Sequence, residues 1–184
     1  MTYIQVRKMN YGGDKMDSNI NLSYGKSKKD TEYFWERRNE YFLKDIIPNS
    51  ELGDELSEED IKWFFSKEYK DHIMRLLERN VDPLYIVFIN KDKTNIGFMT
   101  YVIYNSEDGK CFILDYCIYQ QYRNNGIGKI AFNLLEKDFF DKGATYIDLN
   151  VSNTNNERFW VGNGFAKTNI KDEKSNFIYR KILK

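Results

Sequence analysis

Arg123, Gly126, Gly128 and Lys129 lie close together in the run LDYCIYQQYRNNGIGK, residues 114–129. Ile113, Leu114, Tyr116 and Ile118 before them are apolar, aromatic or β-branched, and predict a buried strand. Ile127, Ile130, Ala131, Leu134 and Leu135 after them recur at helical spacing, with Gly143 as a stop. A strand that turns through glycines into a helix leaves amide N–H groups unpaired at the helix N-terminus, where the macrodipole is positive. Without Cβ atoms, Gly126 and Gly128 would let an anion approach that backbone closely. Arg123 and Lys129 put fixed positive charge on either side. The chemistry that follows is the cradling of a phosphate.

Two cofactor classes use such a cradle. Gly126-x-Gly128-x-x-Ala131 fits the dinucleotide fingerprint, and Asp148 follows at about the twenty-residue spacing of a ribose-binding acid. That reading predicts a fully parallel sheet and affinity for NADH. Against it, a polar segment containing Arg123 separates the strand from the first glycine. Asp148 also falls in the middle of its strand, and little sequence follows for a second mononucleotide half.

The other class fits more of the chain. Ile118-x-x-x-x-Arg123-x-x-Gly126-x-Gly128 resembles the acyl-CoA pyrophosphate loop of the GNAT superfamily of N-acetyltransferases. The helix, strand, Asn153, short helix and Gly164-Phe165 that follow keep that family's order, so the resemblance spans residues 85–165. It implies a single-domain α/β fold: a mixed, mostly antiparallel sheet with one parallel strand pair and helices on both faces. The whole chain, 1–184, is then one domain, with an acyl-CoA-binding core at 84–165 and an N-terminal helical pair at 28–80.

The resemblance also assigns roles. Acetyl-CoA is the acyl donor, no metal takes part, and the acceptor is the primary amine of a small molecule or peptide. The pyrophosphate would lie on the amides of Asn124, Asn125, Gly126, Ile127, Gly128 and Lys129, and pantetheine would pair like an extra strand with the backbone at Tyr116, Cys117 and Ile118. Asn153 matches a family Asn that reaches the cofactor from the next strand, although an Asn at that position also serves as a helix cap. Direct transfer needs the amine deprotonated, and a primary ammonium has a pKa of about 10.4. Asp115, on the central strand, is the candidate base; the alternative is a hydrogen-bonded structural acid. Another family base position holds Phe112, and Asp148 and Asn150 are weaker candidates. The family's usual tyrosine, four residues before the Gly of Gly-Phe, is replaced by Trp160, whose indole can donate a hydrogen bond but not a proton. Trp160 or a water would then stabilise the leaving thiolate. This departure keeps open a module that holds acyl-CoA without turning it over.

Composition sets outer bounds. At 184 residues the chain can bury a substantial core. Twenty-eight basic and twenty-eight acidic residues leave a net charge of +0, which offers no general attraction to nucleic acid or an anionic membrane. Cys111 and Cys117 lie roughly 20 Å apart on one extended strand, beyond disulfide reach. With no long apolar run and no leader, the expected location is cytoplasmic, as a monomer or homodimer. A single His72 leaves no zinc site.

The elements that must position the cradle can be read in order. A weak strand is expected at 2–9 and a surface loop at 10–26. Helix is expected at 30–47, stopped by Pro48, and again after the capping box Ser57-x-x-Asp60, continuing to Leu77. Strands follow at 84–90, 96–104 and 111–119, then the helix at 127–142, a strand at 146–151, a short helix at 155–161, and strands at 165–170 and 177–183. Tyr33, Trp35 and Trp63 are either core or the walls of an acceptor cleft. Asp45, Glu51, Asp54, Glu55, Glu58, Glu59 and Asp60 form either a solvated acidic face or a surface suited to a cationic amine.

Overall fold

Every buried backbone N–H and C=O needs a partner, and the order in which strands meet that need decides the architecture. Residues 19–49, 56–151, 153–173 and 175–184 are described in a computed structural model. Seven strands, β1 (Ile20–Gly25), β2 (Leu84–Lys91), β3 (Thr94–Tyr104), β4 (Lys110–Ile118), β5 (Tyr146–Asn150), β6 (Ala166–Lys171) and β7 (Phe177–Ile182), form one sheet in the order β1-β2-β3-β4-β5-β7-β6. Short turns join β2 to β3 and β3 to β4, and antiparallel pairing follows. Asp92 and Lys93 make the first turn with positive φ. Helix α4 (Ile127–Asp141) crosses from β4 to β5 and makes that pair parallel. The remaining pairs are antiparallel. The expected mixed sheet with one parallel pair is therefore what the chain builds, and the fully parallel sheet of the dinucleotide reading is excluded.

Period-two alternation sends successive side chains to opposite faces. Val87, Ile89, Met99, Tyr101 and Ile113 meet Ile127, Ala131, Phe132 and Leu135 of α4, together with Trp160 of α5 (Thr154–Gly162), in one core. Ile86, Phe88, Phe98, Val102 and Cys117 face the other way, onto Phe34 and Trp35 of α1 (Lys28–Tyr41) and Ile73 of α3 (Lys67–Leu77). Helices thus cover both faces.

Local chemistry sets the helix ends. Ser27 Oγ accepts the Asp30 N–H at 3.1 Å, and the Asp30 carboxylate accepts the Ser27 N–H at 3.0 Å, a capping box that starts α1. Ser57 and Asp60 repeat the device at α2 (Glu58–Phe64), as the sequence predicts. The single second helix expected there is in fact two. The chain breaks at Phe65, and Ser66 Oγ accepts the Tyr69 N–H to start α3. Pro48 does not end the first helix either. Beyond Tyr41 the chain widens into a π-helical turn, Phe42–Ile46, and then tightens into a 3-10 turn, Ile47–Asn49, that accommodates the proline. Residues 20–25, read from sequence as loop, are β1. Ile20, Leu22 and Tyr24 pack on the α4-side core with the polar Asn21 and Ser23 alternating between them, a short period-two strand signal set in a polar stretch. The strand expected at 2–9 lies outside the described residues.

The aromatic surplus of the N-terminal half is largely structural. Arg38 is fully buried, with its guanidinium 3.7 Å from the centre of the Phe42 ring and 4.7 Å from that of Tyr69, and it donates to the Phe64 carbonyl at 2.8 Å. Trp35 is one wall of this cage and only 8% exposed, so it is core rather than cleft. Trp63 is exposed, and the Tyr33 hydroxyl donates to Asn95. On the opposite face Tyr24, Tyr101, Asp138 and Lys142 form a polar network that pins β1 and β3 to α4. Among the described residues, no helix is long and apolar enough to cross a membrane, and no three His, Cys, Asp or Glu residues group as metal ligands.

Two predictions follow from the sheet. Gly97 of β3 lies opposite Ile118, and a Cβ there would sit 2.2 Å from the Cys117 carbonyl oxygen. Gly97→Ala should therefore destabilise the protein by about 1–3 kcal/mol, read as a lowered thermal midpoint; an unchanged midpoint refutes the close approach. Cys111 and Cys117 are free and buried, and burial pushes the Cys117 thiol up to about 12. Iodoacetamide at pH 8 should label neither thiol in the native protein and both after unfolding; rapid native labelling would contradict the packing.

Candidate active site

The site begins where β4 and β5 part. Their parallel ladder runs through only three pairs, Lys110 with Tyr146, Cys111 with Ile147 and Phe112 with Asp148. The strands then diverge, and the β5-facing backbone of β4 beyond Phe112 is released from the ladder. On the other edge of β4 the register with β3 slips: Thr100 pairs with Asp115 but Tyr101 pairs with Ile113, so Leu114 is the extra residue of a β-bulge. Leu114 is 38% exposed for a large apolar residue in mid-strand. Bulge and divergence fall at the same level of the sheet and open a wedge there.

At the end of β4 the cradle takes the form its glycines require. Asn124 and Gly126 both have positive φ, 65° and 71°, and Gly126 is the N-cap of α4. No side chain caps this helix, and its first intrahelical bond runs from the Ile130 N–H to the Gly126 carbonyl. The amides of Ile127, Gly128 and Lys129 precede that bond and are available to an anion. A Cβ on Gly126 would meet nothing within 4 Å, so the approach is open. Gly128 has a different reason for being glycine: a Cβ there would lie 3.2 Å from the Phe159 ring, so its absence lets α5 pack close. Asn124, Asn125 and Lys129 are exposed around the cradle, while Ile127 is buried and anchors it to the core.

Arg123 does not lie free beside the cradle. Its Nη1 and Nη2 form a fork on Asp45 of the π-helical turn at 2.8 and 2.6 Å, and its Nε donates to the Ile118 carbonyl at 2.6 Å. The hydrogen bond to Asp45 keeps the guanidinium more basic than usual. Asp45, read from sequence as part of an acidic face, is thus the link between the cradle and the N-terminal helices. Glu51, Asp54 and Glu55 of that face lie outside the described residues.

Asp115 points to the α1/α3 side of the sheet. It is half-buried, and its Oδ2 accepts the Thr100 hydroxyl at 2.7 Å. Tyr41 from the end of α1, Tyr69 from α3 and Cys117 surround it closely enough to feel its charge. Burial raises the Tyr41 hydroxyl, and burial followed by the Asp115 charge takes that of Tyr69 to about 12. A cavity of about 100 Å³ opens next to Tyr41 and Cys117 rather than onto Asp115 itself, with Asp45, Tyr119 and Gln120 in its wall. Sequence reasoning missed Tyr41, Tyr69 and Thr100, since two belong to an aromatic helical stripe and the third to an apolar strand.

Tyr116, the next residue along β4, points the other way. Its hydroxyl donates to the Gly128 carbonyl at 2.6 Å and its ring stacks on Phe159. Trp160 is 6% exposed and packs against Tyr116, Phe132, Phe159 and Phe165. Asn153 caps α5, its Oδ1 accepting the Asn156 N–H at 2.9 Å. Asp148 is buried in a fork with Arg180, both contacts at 2.7 Å, and Asn150 donates to Asp172. These two candidate bases are held within the β5–β7 side of the sheet.

Similarity to solved structures agrees with this architecture. The PaiA N-acetyltransferase of Thermoplasma acidophilum, in complex with coenzyme A, is 24% identical and matches with a TM-score of 0.62 over 90% of this chain and 99% of its own. A GNAT-family acetyltransferase from Staphylococcus aureus Mu50 gives 0.62 at 14% identity, covering 90% and 99%. One from Elizabethkingia anophelis with acetyl-CoA bound gives 0.56 at 14% identity, again covering 90% and 99%. No curated protein sequence matches significantly. The acetyltransferase (GNAT) family profile matches residues 50–165, more than half of the sequence and the whole of the wedge and cradle, and the chain therefore belongs to that family.

Proposed function

We propose that this protein transfers an acetyl group from acetyl-CoA directly to the primary amine of a small molecule or peptide. The observation that carries the reading is the combination of an uncapped, Gly126-led helix N-terminus with a released strand edge beside it. A donor with an anionic diphosphate at one end and an amide-bearing arm at the other fits that pair of features. The diphosphate would lie on the amides of residues 124–129. The pantetheine amides would complete the backbone pairing of Tyr116, Cys117 and Ile118, leaving the thioester in the wedge near Asp115. Asn153, from the end of β5, would approach the arm from the opposite side.

In the chemical step the amine nitrogen attacks the thioester carbonyl carbon. The C–N bond forms, the C–S bond breaks, and the amine proton passes to Asp115 directly or through a water. The sulfur leaves with the bonding electrons, and a thiol of pKa about 8.5 makes a tolerable leaving anion. Trp160 stands where the family carries a tyrosine and offers at most a hydrogen bond. Trp160 is also the observation that favours a second reading, a module that binds acyl-CoA without turnover.

Calorimetric titration tests the donor site. Acetyl-CoA should bind and NADH should not. Gly126→Asp should abolish acetyl-CoA binding while the protein stays folded, because Asp tolerates this left-handed backbone and has room, yet its carboxylate repels the diphosphate. Failure of the folded wild type to bind acetyl-CoA would sink the proposal. An amine screen with Asp115→Asn then separates the two readings. Turnover lost by a factor of about 10² or more in the variant, with acetyl-CoA affinity kept, supports transfer. Binding with no wild-type turnover on any amine supports the module.

A further inference from the structure

Thr100 is the hydroxyl residue between Phe98 and Val102 on the α1/α3-facing side of β3, a side that is otherwise sealed there. It is 1% exposed, and its neighbours on the same face, Phe98 and Val102, are buried core residues at 0% and 2%. Valine has the same shape and would pack there without the penalty of burying a hydroxyl, which needs a partner to be tolerated. The partner is Asp115 Oδ2, at 2.7 Å. The register break makes the pairing possible. With Leu114 bulged out, Asp115 stands directly across from Thr100 at the last regular pair before the slip.

We infer that Thr100 is a positioning residue for the transfer reaction: it holds Asp115 by one carboxylate oxygen and leaves the other to take the proton of the incoming amine. This rests on the reading of Asp115 as the base. A hydrogen bond donated to a carboxylate favours its charged form and fixes its rotamer. The other titratable groups facing Asp115 are Tyr41 from α1, Tyr69 from α3 and Cys117 on its own strand. All three are raised, chiefly by burial, and stay protonated and neutral while a carboxylate titrates. The charged groups packed around the same residues are Arg38, behind the Tyr69 ring and enclosed by aromatic rings, and the Arg123–Asp45 pair beside Tyr41 and Cys117. Of these groups only Thr100 makes a direct hydrogen bond to Asp115, and its loss should be felt there alone.

The test is the pH dependence of kcat for Thr100→Val and Thr100→Ser, each in the wild-type and Asp115→Asn backgrounds, on an amine the wild type acetylates. Thr100→Val should lower kcat about ten-fold and move the acid limb of its profile upward. The KM for acetyl-CoA should not change, and Thr100→Ser should return the limb to its wild-type place. In Asp115→Asn the valine should add nothing further. A valine variant with unchanged kcat and limb overturns the inference, as does one whose loss persists undiminished in Asp115→Asn. A general folding defect would lower the thermal midpoint without moving the limb, and that result counts against positioning too. If Asp115→Asn alone keeps full activity, the reading of the base has failed, and the inference falls with it for that separate, recognisable reason.

Discussion

Backbone hydrogen bonding in the centre of a sheet is obligatory, and this sheet suspends it where β4 and β5 part. The β4–β5 ladder ends after three pairs, and β3 loses register with β4 at the bulge on the other side. Free peptide groups in such a position must find water or another chain-like partner. The surrounding structure serves to keep that opening from collapsing. The α4-side core, with Phe132, Leu135 and Trp160, braces one face; Phe34, Phe98 and Ile73 brace the other. Two well-packed layers let a sheet hold a gap that a single layer would close.

The same arrangement explains why the strand carrying the site looks contradictory in sequence. Tyr116 and Asp115 are adjacent, so pleating turns one toward α4 and α5 and the other toward α1 and α3. Tyr116 becomes a packing residue whose hydroxyl ties β4 to the first turn of α4. Asp115 becomes a polar group among aromatics. A site that must bind a long donor along the backbone and handle a proton beside it can use successive residues for the two tasks, because strand geometry separates them by default.

Much of this was legible from residue order. The strand–cradle–helix unit declared itself because three local signals coincide at 113–143: a β-branched and aromatic run, paired glycines, and a helical repeat ended by Gly143. The capping box at Ser57 was visible for the same reason, its chemistry being contained within four residues. What escaped depended on distance in the sequence. β1 carries a period-two pattern over only five residues inside a polar stretch, and its pairing partner β2 lies some sixty residues later. The division of the second helix hangs on Ser66, an unremarkable residue until its hydroxyl finds the Tyr69 amide. The bulge that aligns Thr100 with Asp115 leaves no trace in either strand alone. Arg123 is the instructive case: its place in the motif was plain, but its partner, Asp45, lies seventy-eight residues earlier.

That fork on Asp45 joins two regions that would otherwise be independent. The π-helical turn borders the cavity on the helical side, and Ile118 and Arg123 border the cradle. A ligand that draws the guanidinium away leaves a carboxylate unpaired at the cavity wall, and one that competes for the carboxylate loosens the loop. Thermodynamic linkage then requires each occupant to alter the other's affinity by the same factor. In this protein the cradle and the cavity wall share a single ion pair, and reciprocal coupling through it favours neither order of arrival.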